Sequence, residues 1–348
     1  MRGKDRCLRA LRHEDVDRVS VHPEIDYSYA AGIRNIPVSE CFLNPRVHAS
    51  VLESVFDVHQ GIDGLYVNLC LSPSVIKETK REGTELYATD SSGAQWRIPA
   101  NDVGAVTGHC IDSLDDARLK TINPLSAGIN ETFGYISDDI KSKYLIIPGL
   151  TGPFSQLVFI MGFEKVLISL IEQPDLLNQA LEWRLAIALE WLDDLIALGA
   201  ECVWIGEGAA SSSVISPTHY KEFVYPFQKA LIDEMKRKGI NSIIHICGDV
   251  TKSMHYIAET GADALDIDHL VDLNLAFDSI GDTVAIKGNI NPRELKELSA
   301  RQIYEACQEK IRESRRGRGL ILSTGCLVAR DTPRENIEAM VKASIDSQ

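Results

Sequence analysis

Short apolar runs recur along this chain, each separated from the next by enough residues for a helix. They occupy 16–22, 64–68, 144–148, 201–206, 242–247, 262–267, 283–288 and 319–323. Apolar runs of this length without strict alternation suit strands covered on both faces, as in a parallel sheet. Between them, Leu, Ile, Trp and Ala recur at helical spacing over 163–171 and 175–198. A third helix is expected over 216–238, with Ser216 as N-cap and Pro217 at the first helical position. Eight strand–helix units in 348 residues predict an α/β chain folded as a (β/α)8 TIM barrel. A doubly wound open sheet is the runner-up. An N-terminal extension precedes the first unit. Residues 84–98 read as an inserted β-hairpin closed by Ser92-Gly93. With no internal repeat or linker, one domain spanning 1–348 is expected.

Charge and cysteine usage narrow the function. A formal net charge of −14 argues against a nucleic-acid partner, whose phosphates want a basic surface. No apolar run is long enough to span a bilayer. The N-terminal stretch MRGKDRCLRALRHED lacks the apolar core of a signal peptide, so a cytoplasmic location is expected. The eight cysteines (7, 41, 70, 110, 202, 247, 307 and 326) show no disulfide-framework spacing. In a reducing compartment they would be thiols, free to bind metal or react.

Barrel chemistry sits at the C-terminal ends of the strands. Those ends carry His22 and Glu24, Asn68, the 149–152 turn, Glu207, His245 with Cys247, Asp266 with Asp268 and His269, Asn289 with Asn291, and Cys326. Residues two apart on a strand share a face, so His245 and Cys247 can aim an imidazole and a thiolate at one point. Cys326 follows another strand. Two sulfurs and one imidazole suit zinc, and three protein ligands leave a fourth position open. The plainer reading is two buried structural cysteines and a core histidine.

The segments IIHICGDVTKSMHYIAETGADALDIDHLVDL, AIKGNINP and LSTGCLVARDTPRENI resemble the uroporphyrinogen decarboxylase superfamily. GLTGPFSQLVFIMGFEKVLISLIEQPDLL and VISPTHYKEFVYPFQKALIDEMK fit the same pattern, and the likeness runs from about residue 5 to the end. It implies a (β/α)8 barrel. The decarboxylases themselves carry arginines near the N-terminus for substrate carboxylates, and an Asp after the second strand. Here 22–32 has no arginine, and Asn68 stands where the acid is expected.

The His-x-Cys…Cys pattern is similar to that of zinc-dependent corrinoid methyltransferases, such as the methylcobamide:coenzyme M enzymes, and to the zinc site of cobalamin-independent methionine synthase. This resemblance implies His245, Cys247 and Cys326 as Zn2+ ligands, with a further ligand or catalytic group among Asp268, His269 and Glu207. His22, Glu24, Tyr27 and Asn68 would line the substrate side. A zinc-held thiolate would attack the methyl carbon of methylcobalamin. In the reverse direction zinc would polarise a methylated donor, such as the aromatic methyl ether of an O-demethylase system. The chain has no Asp-x-His-x-x-Gly cobalamin motif, so the corrinoid is expected on a partner protein. A lyase acting on a small carboxylic acid and a non-catalytic zinc sensor are the alternatives.

Overall fold

In the computed structural model, which describes residues 1–314 and 319–347, the chain forms two sheets. The strands in chain order are β1 (Ser20–Val21), β2 (Gly64–Val67), β3 (Ile76–Glu82), β4 (Glu85–Asp90), β5 (Gln95–Ile98) and β6 (Ala105–Gly108). There follow β7 (Leu145–Thr151), β8 (Cys202–Gly206), β9 (Asn241–Ile246), β10 (Ala264–Ile267), β11 (Ala285–Ile290) and β12 (Leu320–Thr324). One sheet holds eight parallel strands in the order β1-β12-β11-β10-β9-β8-β7-β2, which makes a nearly closed TIM-like barrel. Each of the eight expected strands lies on one of these. The largest difference is at 16–22, where only Ser20–Val21 pairs.

Asp63 fills the gap between β1 and β2. Its backbone N–H donates to the Val21 carbonyl (2.8 Å), and its Oδ2 accepts the Val21 N–H (2.8 Å). Two arginines, the buried Arg6 and the half-buried Arg18, donate to its Oδ1. A carboxylate thus supplies the pairing that a two-residue strand cannot.

The barrel interior is layered. Tyr66, Leu145, Ile147, Cys202, Ile243, Ala264, Ala285 and Ile321 pack with Cys7, Ala10 and Leu11. The N-terminal helix Gly3–Leu11 therefore plugs the floor. Their chain neighbours, such as Ile244, Leu265 and Ile286, belong to the larger core outside the barrel. This alternation follows from the two-residue period of a strand, and it places His245, Asp266 and Lys287 in the interior above the floor.

The expected hairpin is part of a four-stranded antiparallel sheet, β3-β4-β5-β6. Its tight turn is organised by Asp90, whose Oδ1 accepts the N–H groups of Ser92, Gly93 and Ala94, while Oδ2 takes the Trp96 indole N–H. β3 was not expected because its sequence, IKETKRE, is charged throughout and largely exposed. The helix expected over 216–238 is broken into Pro217–Phe223 and Tyr225–Arg237. Pro226, lacking an N–H, cannot continue the first helix's bonding. Ser216 does cap the first piece, accepting the His219 N–H at 3.1 Å. Among the described residues no single helix is long and apolar enough to cross a membrane.

Replacing Asp63 with Leu takes from Arg6 and Arg18 the carboxylate they share and opens the β1–β2 junction. The expected loss is about 3–5 kcal/mol of unfolding free energy, read as a lower urea midpoint.

Candidate metal centre

His245 lies near the end of β9, and Cys247 follows the strand by one residue. Gly248 then turns the chain at φ +84°. Across the mouth, β12 ends at Thr324, and Gly325 brings the next residue in close. A Cβ on Gly325 would lie 2.3 Å from the backbone nitrogen of His269, so only glycine lets Cys326 sit there. The donor atoms of His245, Cys247 and Cys326 all lie within 4.8 Å of one another. His245 Nε2 is 3.2 Å from the Cys247 sulfur. On the other side of the ring, Nδ1–H donates to the Asp266 carbonyl (3.2 Å). That bond holds the ring so that Nε2, once deprotonated, faces the two sulfurs, the usual arrangement behind a metal-binding histidine. Trp204 stacks on the imidazole at 5.3 Å between centroids and 20° between planes. The donor set and its spacing fit zinc.

Beneath the ring lies a buried charge network. Asp266 Oδ2 accepts from Tyr66 Oη (2.9 Å), Trp204 Nε1 (3.2 Å) and Lys287 Nζ (2.8 Å). Lys287 is fully buried and also donates to Ser323 Oγ (2.7 Å). Burial pushes the Asp266 carboxyl up, but Lys287, His245 and Tyr66 outweigh it and hold the group below the usual range. Glu24 Oε1 stands 3.8 Å from both His245 Nδ1 and Lys287 Nζ, with no hydrogen-bond partner. Burial and the neighbouring Asp266 charge push the Glu24 carboxyl well up. For His245 burial favours the neutral ring, yet Glu24, Cys326 and Asp266 prevail and raise its pKa to about 10. The thiol of Cys326 is pushed up, by the neighbouring Cys247 and by burial. Hydrogen bonding with Cys326 lowers that of Cys247.

The other residues singled out from sequence separate into two groups. Glu24 and Asn68 line the cavity into which the sulfurs open. His22 does not: it is buried edge-on to Tyr66 at 4.8 Å, beside Gly64. Tyr27 is packed against Phe42 and His48 and donates no group to the cavity wall. Its hydroxyl accepts the N–H of Gly104, which does line it. Glu207 spends both oxygens on the N–H groups of Phe154 and Ser155 (3.1 and 2.9 Å), capping helix Pro153–Met161. Burial raises its carboxyl to about 7 despite the bonds to Ser155 and Phe154. Asp268 holds the cysteine turn, accepting from Gly248 N (2.9 Å) and Leu270 N (3.0 Å), and it pairs with His269 Nδ1 at 2.9 Å. Neither Glu207, Asp268 nor His269 joins the His-Cys-Cys cluster among the described residues. Lys287 was missed from sequence. Its signal was a lone lysine inside the apolar run TVAIKG, in phase with the inward positions.

The cavity encloses about 580 Å³. Its walls are Leu69, Val106, Ile129, Leu150, Val158, Phe159, Phe163 and Leu327, and His245, Cys247, Cys326 and Trp204 form its inner end. This size suits a small organic ligand.

The sequence model of the uroporphyrinogen decarboxylase (URO-D) family matches residues 2–346, and the chain belongs to that family. It is 24% identical over 347 residues to a methylcobamide:CoM methyltransferase of Methanosarcina mazei, covering 98% of this chain and 97% of that one. It is 28% identical over 302 residues to a uroporphyrinogen decarboxylase of Geobacter metallireducens, covering 80% and 86%. The fold is shared with a methyltransferase from Methanosarcina mazei, at a TM-score of 0.84 and 21% identity over 99% of both chains. The expected barrel and family are therefore borne out.

Metal-free protein should bind about one zinc per chain, with Cys247→Ser and Cys326→Ser each weakening binding at least about 100-fold. Ligands bind deprotonated, and the His245 imidazole carries a proton at neutral pH in the metal-free state. Zinc affinity should therefore rise steadily from about pH 6 to about pH 8, with proton release, as read by chelator competition and by calorimetry in buffers of different ionisation enthalpy.

Proposed function

We propose that this protein is a zinc-dependent methyltransferase that moves a methyl group between a corrinoid carried by a partner protein and a small substrate. The observation that carries the reading is the His245–Cys247–Cys326 cluster opening onto a cavity at the mouth of the barrel. The similarity to a methylcobamide:CoM methyltransferase over nearly the whole of both chains supports it. The substrate is a thiol acceptor such as coenzyme M, or a methylated donor such as an aromatic methyl ether.

His245, Cys247 and Cys326 would hold the zinc. When bound, zinc supplies Lewis acidity, which keeps a thiol as its thiolate or polarises the heteroatom bearing the methyl group. The chain's own residues do the rest. The Asp266 carbonyl and the Trp204 ring fix the imidazole from behind and beside. Asp268 and Gly248 fix the turn that carries Cys247. Val158, Phe159 and Leu327 keep the wall of the cavity apolar, which limits water around the transferring group. Glu24, the acid of the cavity lining, would be the group that holds a proton there, and its Oε1 sits on the Nδ1 side of the His245 ring toward Lys287. The corrinoid is too large for this cavity and would dock over the mouth on its own carrier.

A lyase reading finds less support. The cavity wall presents a carboxylate, Glu24, and no arginine or lysine among the described residues. A substrate with many carboxylates would meet no cation there.

Zinc-loaded protein, given free or carrier-bound corrinoid and a panel of thiols, ethers and amines, should interconvert methylcobalamin and cob(I)alamin in the visible spectrum. His245→Ala, Cys247→Ala and Cys326→Ala should each slow this by more than about 100-fold, whereas Glu207→Gln should act mainly on stability. Uroporphyrinogen should give no coproporphyrinogen. A full panel without spectral change, or enzymatic decarboxylation, would overturn the proposal.

A further inference from the structure

We infer that the substrate of this cavity carries no negative charge and has an apolar body about the size of an aromatic ring, and that a small anionic thiol is a poor fit. The inference rests on the methyl-transfer reading and concerns what the same cavity accepts.

Three observations carry it. The first is the wall. The lining includes Leu69, Ile129, Val158, Phe159, Phe163 and Leu327, and no Arg or Lys lines the cavity among the described residues. Lys287, the cation nearest the centre, does not reach it. It is fully buried below, and its ammonium is engaged by Asp266 and Ser323. The second is the character of the polar residues in the lining. Glu24 is an acid and Asn68 a neutral amide, and Thr151 and Ser155 are hydroxyls. None of them offers a positive charge to an anion. The third is charge balance at the inner end. As thiolates, Cys247 and Cys326 would balance the charge of a divalent zinc, so a bound metal would offer no net positive charge to a distant sulfonate or carboxylate. His109 is the remaining titratable wall residue. It is exposed at the rim, and its Nδ1–H is given to the Phe159 carbonyl at 3.0 Å.

An anionic substrate would therefore bury a charge with no cation opposite it, which binding sites avoid. A neutral ring-bearing ether, thioether or thiol would instead cover Val158, Phe159 and Phe163. The volume of about 580 Å³ leaves room for such a body as well as the methyl-bearing atom at the zinc end.

The test uses matched probes on the full-length, zinc-loaded protein, with the metal-free protein as a second sample. Methoxybenzene and 4-methoxybenzoate share one body and differ by a carboxylate. 2-Mercaptoethanesulfonate represents the anionic thiols. Calorimetry and quenching of tryptophan fluorescence, to which Trp204 in the wall contributes, report binding without turnover. Methoxybenzene should bind at least about tenfold more tightly than either anion, because the anions lose their solvation without gaining a partner. Val158→Arg and Leu69→Arg each place a cation in the wall, and at least one should narrow or reverse that preference. Equal or tighter binding of an anion to the wild-type protein overturns the inference, and so does failure of all three probes to bind. Zinc content and methyl transfer to 2-mercaptoethanesulfonate are measured on the same sample. If zinc is bound and that thiol is methylated, the methyl-transfer reading stands and only this inference falls. If zinc is absent, the methyl-transfer reading falls with it.

Discussion

One carboxylate, Asp266, ties the interior of the barrel together. Its Oδ2 gathers a phenol from β2, an indole from β8 and an ammonium from β11, while its backbone carbonyl holds the β9 histidine. The register explains why. Asp266 sits opposite His245 on one side and Lys287 on the other, so all three point inward at one height. A carboxylate buried at this depth is costly unless several donors compensate it. Here three donors meet one oxygen. His245 consequently has little freedom to rotate, and its Nε2 is held on the side of the two cysteine sulfurs.

That layer also separates two chemically different regions. Below it, Cys7, Leu11, Ile243, Ala264 and their neighbours form an apolar floor sealed by the N-terminal helix. Above it, two sulfurs open onto an apolar chamber. The charged layer is therefore structural toward the floor and functional toward the mouth. Cys7 shows the contrast with the mouth cysteines: burial and the Asp63 charge push its thiol well up, which suits an inert packing group.

Much of this was legible in the sequence. Strand periodicity located the eight parallel strands, because runs covered on both faces leave an apolar signature that short loops do not blur. His245 and Cys247 were legible as a pair because a strand's period of two guarantees their common face, and the structure adds Cys326 to them. The carboxylates were not separable. Glu207 and Asp268 each follow a strand, and from sequence a helix cap, a turn brace and a metal ligand look alike. Only the positions of the Phe154, Ser155 and Gly248 N–H groups distinguish them. Glu24 and Tyr27 illustrate the same limit. Both follow β1, but helix Tyr27–Arg34 turns the tyrosine into the packing against Phe42 and His48 while Glu24 stays in the cavity. The short β1 was overestimated because its pairing is completed by Asp63 from another segment, a long-range contact that no local pattern reveals.

The family contains decarboxylases as well as methyltransferases, so fold alone does not choose between them. Electrostatics does more. A decarboxylase for a polycarboxylate must meet its substrate with cations, because each unpaired buried carboxylate costs binding energy. This chain spends its interior cations elsewhere. Lys287 neutralises Asp266, and Arg6 and Arg18 neutralise Asp63. Arg330, near the mouth, donates to the Ser28 and Ile36 carbonyls. The cations named here are committed to holding the barrel, and the chamber wall is left to apolar side chains and sulfur. A site of that composition handles a soft, weakly polar group such as a methyl thioether or ether far better than a cluster of carboxylates.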